Sequence, residues 1–231
     1  MTDDRPLFVQ AVALGLDPAW RRLEAGVRAE DARLLLDAET RSAEAGVRAL
    51  TYSSFGLEPG VDMLMLRLAP TLDAIESAGA RFARCGLGRY LTVRHSLLGL
   101  VQPSQYVTKP TDQERSILDG EPRRYLIAYP FTKTAEWYLL SREARQGIMN
   151  EHMRVGRAHP TIRQLLASSF GIDDADFLVA YDTDDLVAYV DLVRELRATE
   201  GRRSTVSDRP MLLGIHRRLE EFAEMAGATD D

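Results

Sequence analysis

The 231-residue sequence is 45% hydrophobic, enough to bury a continuous core, and so it does not have the composition of a disordered chain. Its formal charge is −6, with 35 acidic and 29 basic side chains interspersed, which argues against a nucleic-acid partner. A single cysteine, Cys85, excludes an internal disulfide, and no Cys/His grouping has zinc spacing. The opening segment MTDDRPLFVQ lacks a basic stretch followed by an apolar one, and no run of about 18 apolar residues occurs. The expectation is a soluble, cytoplasmic protein without a membrane span.

Periodicity predicts a strand over 8–14, then a helix over 28–47 rich in Ala, Leu, Glu and Arg. Strands follow at 48–55 and 61–68, separated by the turn Gly-Leu-Glu-Pro-Gly. Pro70 opens a helix reaching about Phe82, and branched residues over 92–101 predict a further strand. The first half, residues 1–102, thus reads β-α-β-β-α-β.

A polar linker over 103–123 separates it from a second half, 124–231, in which the order returns. A strand is expected at 124–131, a helix at 141–155, strands at 161–170 and 176–182, a helix at 184–200 and a strand at 211–215. An order-level repeat of this kind suggests a duplicated split βαβ unit, the alternative being two unrelated α+β halves. Two such sheets packed face to face would bury their open faces and enclose a pocket.

His152 lies in GIMNEHMRVG, four residues after Ile148 and three before Val155, on the apolar stripe of its predicted helix. Such a histidine is either a satisfied core residue or a ligand. Glu200 shares a helix face with Leu192 and Leu196, which would turn its carboxylate inward; a frayed helix end would instead leave it solvated. In RYLIAYPF, strand alternation groups Tyr125, Ile127, Tyr129 and Phe131, and Pro130 places the Tyr129-Pro130 step at an edge or rim. Lys133 and Trp137 follow closely. Gln164 is the polar member of the row Ile162, Gln164, Leu166, with Arg163 and Leu165 on the opposite face. The aspartates of Gly171–Asp174 read as turn residues that bind backbone. His95, His159 and His216 have no ligand-like spacing, and neither a phosphate-binding glycine loop nor a Gly-x-Ser-x-Gly elbow occurs.

Five segments taken together, DPAWRRL (17–23), YPFTKTAEWYLL (129–140), the helix bearing Glu151-His152, SFGIDDADF (169–177) and LRATE (196–200), resemble the chlorite dismutase-like superfamily, which includes the coproheme decarboxylases. The resemblance spans nearly the whole chain. It implies an α+β fold of two tandem ferredoxin-like repeats forming a dimeric α+β barrel, in agreement with the repeat.

It also implies that His152 is the proximal ligand of a haem iron and Glu200 the carboxylate behind it. Tyr129 matches the redox-active tyrosine of the decarboxylases and Lys133 the lysine placed near a propionate. Chlorite dismutases carry a distal arginine; counting back from Gly171 reaches Gln164, whereas counting forward from His152 reaches Leu165, because this stretch is one residue shorter than in several relatives. Arg163 is adjacent, so strand register decides which side chain faces the pocket. An arginine that some decarboxylases use on a propionate falls at Ser204, next to Arg203. The implied activity is peroxide-dependent decarboxylation of iron coproporphyrin III (coproheme) to haem b, by a homo-oligomer, commonly a pentamer among relatives. The alternatives are a peroxidase-like or chlorite-degrading haem protein, a haem carrier or sensor, and an α+β interaction module.

Overall fold

The computed structural model describes residues 6–101, 117–118 and 120–229. In chain order the elements begin with β1 (Leu7–Leu16), α1 (Ala25–Glu44), β2 (Arg48–Glu58), β3 (Val61–Ala69), α2 (Leu72–Arg84) and β4 (Leu91–Val101). There follow β5 (Tyr125–Lys133), α3 (Ala135–Leu139), α4 (Arg142–Arg157), β6 (Arg163–Ser168), β7 (Phe177–Thr183) and α5 (Leu186–Arg197). The chain closes with β8 (Thr205–Ser207), β9 (Leu212–His216) and α6 (Leu219–Met225). Of the expected linker, residues 103–116 and 119 lie outside the described residues.

Two compact units divide the chain: residues 1–101 with 212–231, and residues 102–211. In the first, antiparallel pairing gives the strand order β4-β1-β3-β2-β9. Its core gathers Trp20, Leu35, Met63, Met65, Phe82 and Phe222, all nearly or fully buried. Close packing leaves no room for a side chain at Gly86, where a Cβ would stand 1.8 Å from the Asp31 carbonyl oxygen and φ is +47°.

The strand at 212–216 belongs to this first unit, although chain order suggested the second half. Tyr52 and Ser53 of β2 pair with His216 and Ile215, which occupies a sheet edge that would otherwise expose unpaired N–H and C=O groups. Behind it, Phe222 stacks on Phe55 with centroids 5.2 Å apart. Trp20 Nε1 donates to the Ala226 carbonyl at 2.9 Å, tying the tail to the turn after β1. The pairing partner of a terminal strand is a long-range property, which local alternation does not encode.

The second unit has the antiparallel order β6-β7-β5-β8. Helix α4 starts where the Ser141 hydroxyl accepts from the Ala144 N–H at 3.2 Å. Helix α5 starts at the Asp185 cap, which accepts from Val187 and Ala188, and ends at Arg197 rather than at Glu200. Past the C-cap Ala198 the Thr199 hydroxyl donates to the Leu196 carbonyl at 2.7 Å; the chain then turns through a short 3-10 segment, Glu200–Ser204. No described helix is long and apolar enough to cross a membrane.

Candidate functional site

Register across the second unit's sheet assigns its two faces. Gln164 stands opposite Tyr181, which stands opposite Ile127; Leu166 opposes Val179, which opposes Tyr129; Ser168 opposes Phe177, which opposes Phe131. Directly paired residues share a face, so Gln164, Tyr181, Tyr129 and, at the end of β5, Lys133 all project to the same side. Helix α5 covers part of that side, since its Tyr189 ring lies 5.4 Å from that of Tyr181. Leu166, in the same row as Tyr129, nevertheless keeps 46% of its surface exposed, whereas Ile127, Tyr129, Val179 and Tyr181 are buried.

The opposite face carries Arg163 and Leu165, both buried. Arg163 Nε donates to Asp182 Oδ1 at 2.6 Å, its Nη2 also bonds Asp182 Oδ2, and the same Nη2 donates to the Glu121 carbonyl at 2.7 Å. Asp182 is itself buried. Of the three neighbours Arg163, Gln164 and Leu165, it is therefore Gln164 that shares the Tyr129 face.

His152 is half-buried on α4. Burial, and then the positive charge of Lys133, push its pKa down to about 4, so the imidazole is neutral at physiological pH and keeps a lone pair for a metal. Lys133 Nζ donates to the Gly201 carbonyl at 3.2 Å and lies 4.3 Å from the centre of the Trp137 ring. Burial, followed by the nearby Arg202 guanidinium, lowers its pKa to about 8. The lysine backbone is fixed in turn by Asp176, which accepts from the Lys133 N–H at 2.7 Å and from the Tyr138 hydroxyl at 2.6 Å.

Tyr129 is buried, with Tyr181 beside it on the adjacent strand. Desolvation by burial, first, and the surrounding phenols hold the Tyr129 pKa well above the ordinary tyrosine value. Their rings are nearly parallel, 22° apart, with centroids separated by 6.3 Å.

Glu200 departs from expectation. Because α5 ends three residues earlier, this residue leaves the stripe of Leu192 and Leu196, and its side chain is exposed, 3.6 Å from Arg203. Its backbone N–H donates to Glu151 Oε2 at 3.0 Å, and among the described residues no hydrogen bond joins Glu200 to His152. Arg203, adjacent to Ser204, is likewise exposed.

The cation that acts on Lys133 is Arg202, held by Asp208 at 2.7 Å. Neither Arg202 nor the pair Tyr181 and Tyr189 stood out in the sequence. Tyr181 could have been found by applying strand alternation to 177–183 and pairing the result with Tyr129. Asp173, by contrast, does bind backbone as its turn context suggested, accepting from the Asp174 N–H at 2.7 Å.

A neutral histidine, a buried phenol and a partly desolvated lysine are thus the chemistry-bearing groups of the second unit of this α+β protein. The chlorite dismutase family profile matches residues 27–217, and the chain belongs to that family. The coproheme decarboxylase of Mycolicibacterium smegmatis is 31% identical over 177 residues, covering 76% of this chain and 75% of that one. A mutant of the chlorite dismutase from Candidatus Nitrospira defluvii superposes with a TM-score of 0.87 at 26% identity, over 96% of this chain and 95% of the other. The same enzyme in complex with imidazole gives 0.86 at 26% identity, over 95% and 94%.

Proposed function

We propose that this chain binds iron porphyrin with His152 holding the iron and catalyses peroxide-dependent decarboxylation of iron coproporphyrin III to haem b. The observation that carries this reading is the composition of one sheet face: Tyr129, Lys133 and Gln164 share it, while Arg163 is committed to Asp182 on the other. A distal arginine suits chlorite; a neutral amide beside an oxidisable phenol suits decarboxylation. The similarity to a coproheme decarboxylase supports the same choice.

The residues fit the group. A lone neutral imidazole supplies one donor, so a metal held there brings its other ligands with it, as porphyrin iron does. The half-exposed Leu166 offers apolar contact to a macrocycle, and Lys133, with Arg202 behind it, offers positive charge to its carboxylates. When bound, the porphyrin iron supplies the peroxide-driven oxidation.

Each turnover converts one propionic acid side chain and one hydrogen peroxide into a vinyl group, carbon dioxide and two waters. Lys133 holds the carboxylate in place. Tyr129 gives up its phenolic hydrogen atom to the oxidant, the oxygen-centred radical so formed takes a hydrogen atom from the propionate carbon chain, which restores the phenol, and the carbon radical then gives one electron to the oxidant as the carboxylate leaves as carbon dioxide and the vinyl double bond forms. Gln164 would offer peroxide neutral hydrogen bonds. Glu200 would have to turn inward to support His152 from behind. The same reading includes a cytoplasmic homo-oligomer, with the two halves arranged as a dimeric α+β barrel of ferredoxin-like repeats.

The test is to add iron coproporphyrin III to the apoprotein, titrate hydrogen peroxide and follow porphyrin mass and visible spectrum. Stepwise loss of two carboxyl groups, arrested in Tyr129→Phe, is expected. Spectral binding without mass change would replace this reading with a peroxidase-like protein or a haem carrier.

A further inference from the structure

Lysine is a point charge on a flexible stem, so where the Lys133 ammonium rests depends on how its root and its platform are held. The root is the last residue of β5. Pairing between β5 and β7 runs from Tyr125 opposite Thr183 to Phe131 opposite Phe177, and Lys133 lies beyond it. The Asp176 carboxylate stands in for the missing strand, its Oδ2 accepting from the Lys133 N–H at 2.7 Å. The next peptide is tied down as well, the Thr134 N–H donating to the Ser204 carbonyl at 3.0 Å.

The platform is the buried ring of Trp137 on α3, whose centre lies 4.3 Å from Nζ. A helix of five residues does not hold its own place. Thr134 caps one end, accepting from the Trp137 N–H at 3.3 Å. At the other end the Tyr138 hydroxyl donates to the same Asp176 Oδ2 at 2.6 Å, and the Tyr138 ring meets Phe170 edge-on at 5.7 Å. Asp176 is itself anchored, because its carbonyl accepts from the Ser169 N–H at 2.8 Å across the turn between β6 and β7. One carboxylate oxygen thus fixes both the strand end from which the lysine departs and the helix against which its cation rests.

We infer that Asp176 is a positioning residue, which sets where the Lys133 ammonium meets a carboxylate of the bound porphyrin and acts on that carboxylate only through Lys133. The inference rests on the role given to Lys133 under Proposed function. A long side chain loses rotamer freedom when it grips a ligand; root, platform and the Gly201 carbonyl confine this one beforehand. The ligand then meets a cation already in place, which spares part of the cost of binding. Asp176 takes the backbone N–H of Lys133, while Nζ bonds the uncharged Gly201 carbonyl and keeps its charge for the ligand.

The experiment is a double-variant cycle on the full chain, with affinity for iron coproporphyrin III measured by fluorescence quenching at neutral pH. Asp176→Ala should weaken binding about three- to tenfold. Added to Lys133→Gln, it should weaken binding by less than about twofold more. Asp176→Asn, which keeps an oxygen for both donors, should restore most of the lost affinity. Tyr138→Phe leaves the carboxylate and the fold's core in place and should weaken binding about threefold, with no measurable further loss in Lys133→Gln. Parental affinity in Asp176→Ala would overturn the inference, as would a loss from either variant that is equally large with and without Lys133, since the carboxylate would then act on the fold at large. If Lys133→Gln itself binds like the parent, the role of Lys133 has failed and this inference falls with it; if only Lys133→Gln binds weakly, the inference alone has failed.

Discussion

Arg163 and Asp182 form a buried, two-pronged ion pair across the β6–β7 ladder, on the sheet face turned away from Tyr129. Both ends are more than nine-tenths buried, so removing one strands the other charge in a poorly solvating environment. Arg163→Leu is expected to destabilise by about 3–5 kcal/mol. The double variant Arg163→Leu with Asp182→Leu should recover much of that loss, as measured by urea unfolding of all three proteins. A free distal role for Arg163 predicts instead a mild single variant with a large change in ligand chemistry.

The pH response of the apoprotein follows from His152. Its folded-state pKa of about 4 lies below the ordinary value of 6.5, chiefly through burial. Between those limits the unfolded chain takes a proton that the folded protein refuses, so stability is intact above about 6.5 and declines as pH falls toward 4. The loss should reach roughly 2–3 kcal/mol. Carboxylates titrate in the same range, and subtracting the curve of His152→Gln isolates the imidazole. Equal slopes in the two proteins would show that the ring is solvated.

Lys133 sets a second pH window, this time for binding. With its pKa lowered to about 8 by burial and by Arg202, it is cationic at neutral pH and loses its charge above about 8. Affinity for a tetracarboxylate porphyrin should therefore fall as pH rises through 8, and the fall should vanish in Lys133→Gln. A charge-assisted hydrogen bond contributes about 1.5–3 kcal/mol, so the variant should bind roughly ten- to a hundredfold more weakly at neutral pH. Fluorescence quenching on porphyrin addition measures both.

Much of this site was legible from alternation. The row Ile127, Tyr129, Phe131 followed directly from a period of two, and the stripe bearing His152 from a period near four. What escaped were properties set at a distance. Gln164 and Leu165 are equal candidates when counted along the chain, and only pairing with Tyr181 separates them. Glu200 looked like the last turn of a helix because Leu192 and Leu196 continue its stripe; the helix ends first, at Arg197, and the chain turns into a 3-10 segment. The tail strand at 212–216 repeats the expected order yet pairs with β2, a choice made by an open edge more than 150 residues earlier.

Glu200 provides a direct check on that reading. As an exposed residue 3.6 Å from Arg203, it contributes little to the apoprotein: Glu200→Gln should change unfolding free energy by less than about 0.5 kcal/mol. A carboxylate buried against His152 in the apoprotein would cost several times more when neutralised, and thermal unfolding distinguishes the two.

Gln164 and Leu165 permit a paired test of register. Leu165 is buried on the Arg163 face, and Leu165→Ala should cost about 2–5 kcal/mol by leaving a cavity, with little effect on how peroxide or cyanide reaches the iron. Gln164 is half-buried beside Tyr181 on the Tyr129 face, so Gln164→Leu removes a polar group without emptying a packed site and should cost less than about 1 kcal/mol. Its effect belongs in the kinetics: the rate of cyanide binding to the porphyrin-loaded protein, and its reaction with peroxide, should change while the unfolding midpoint hardly moves. Were the strand shifted by one residue, every side chain would exchange faces, and the stability loss and the kinetic change would exchange positions with them.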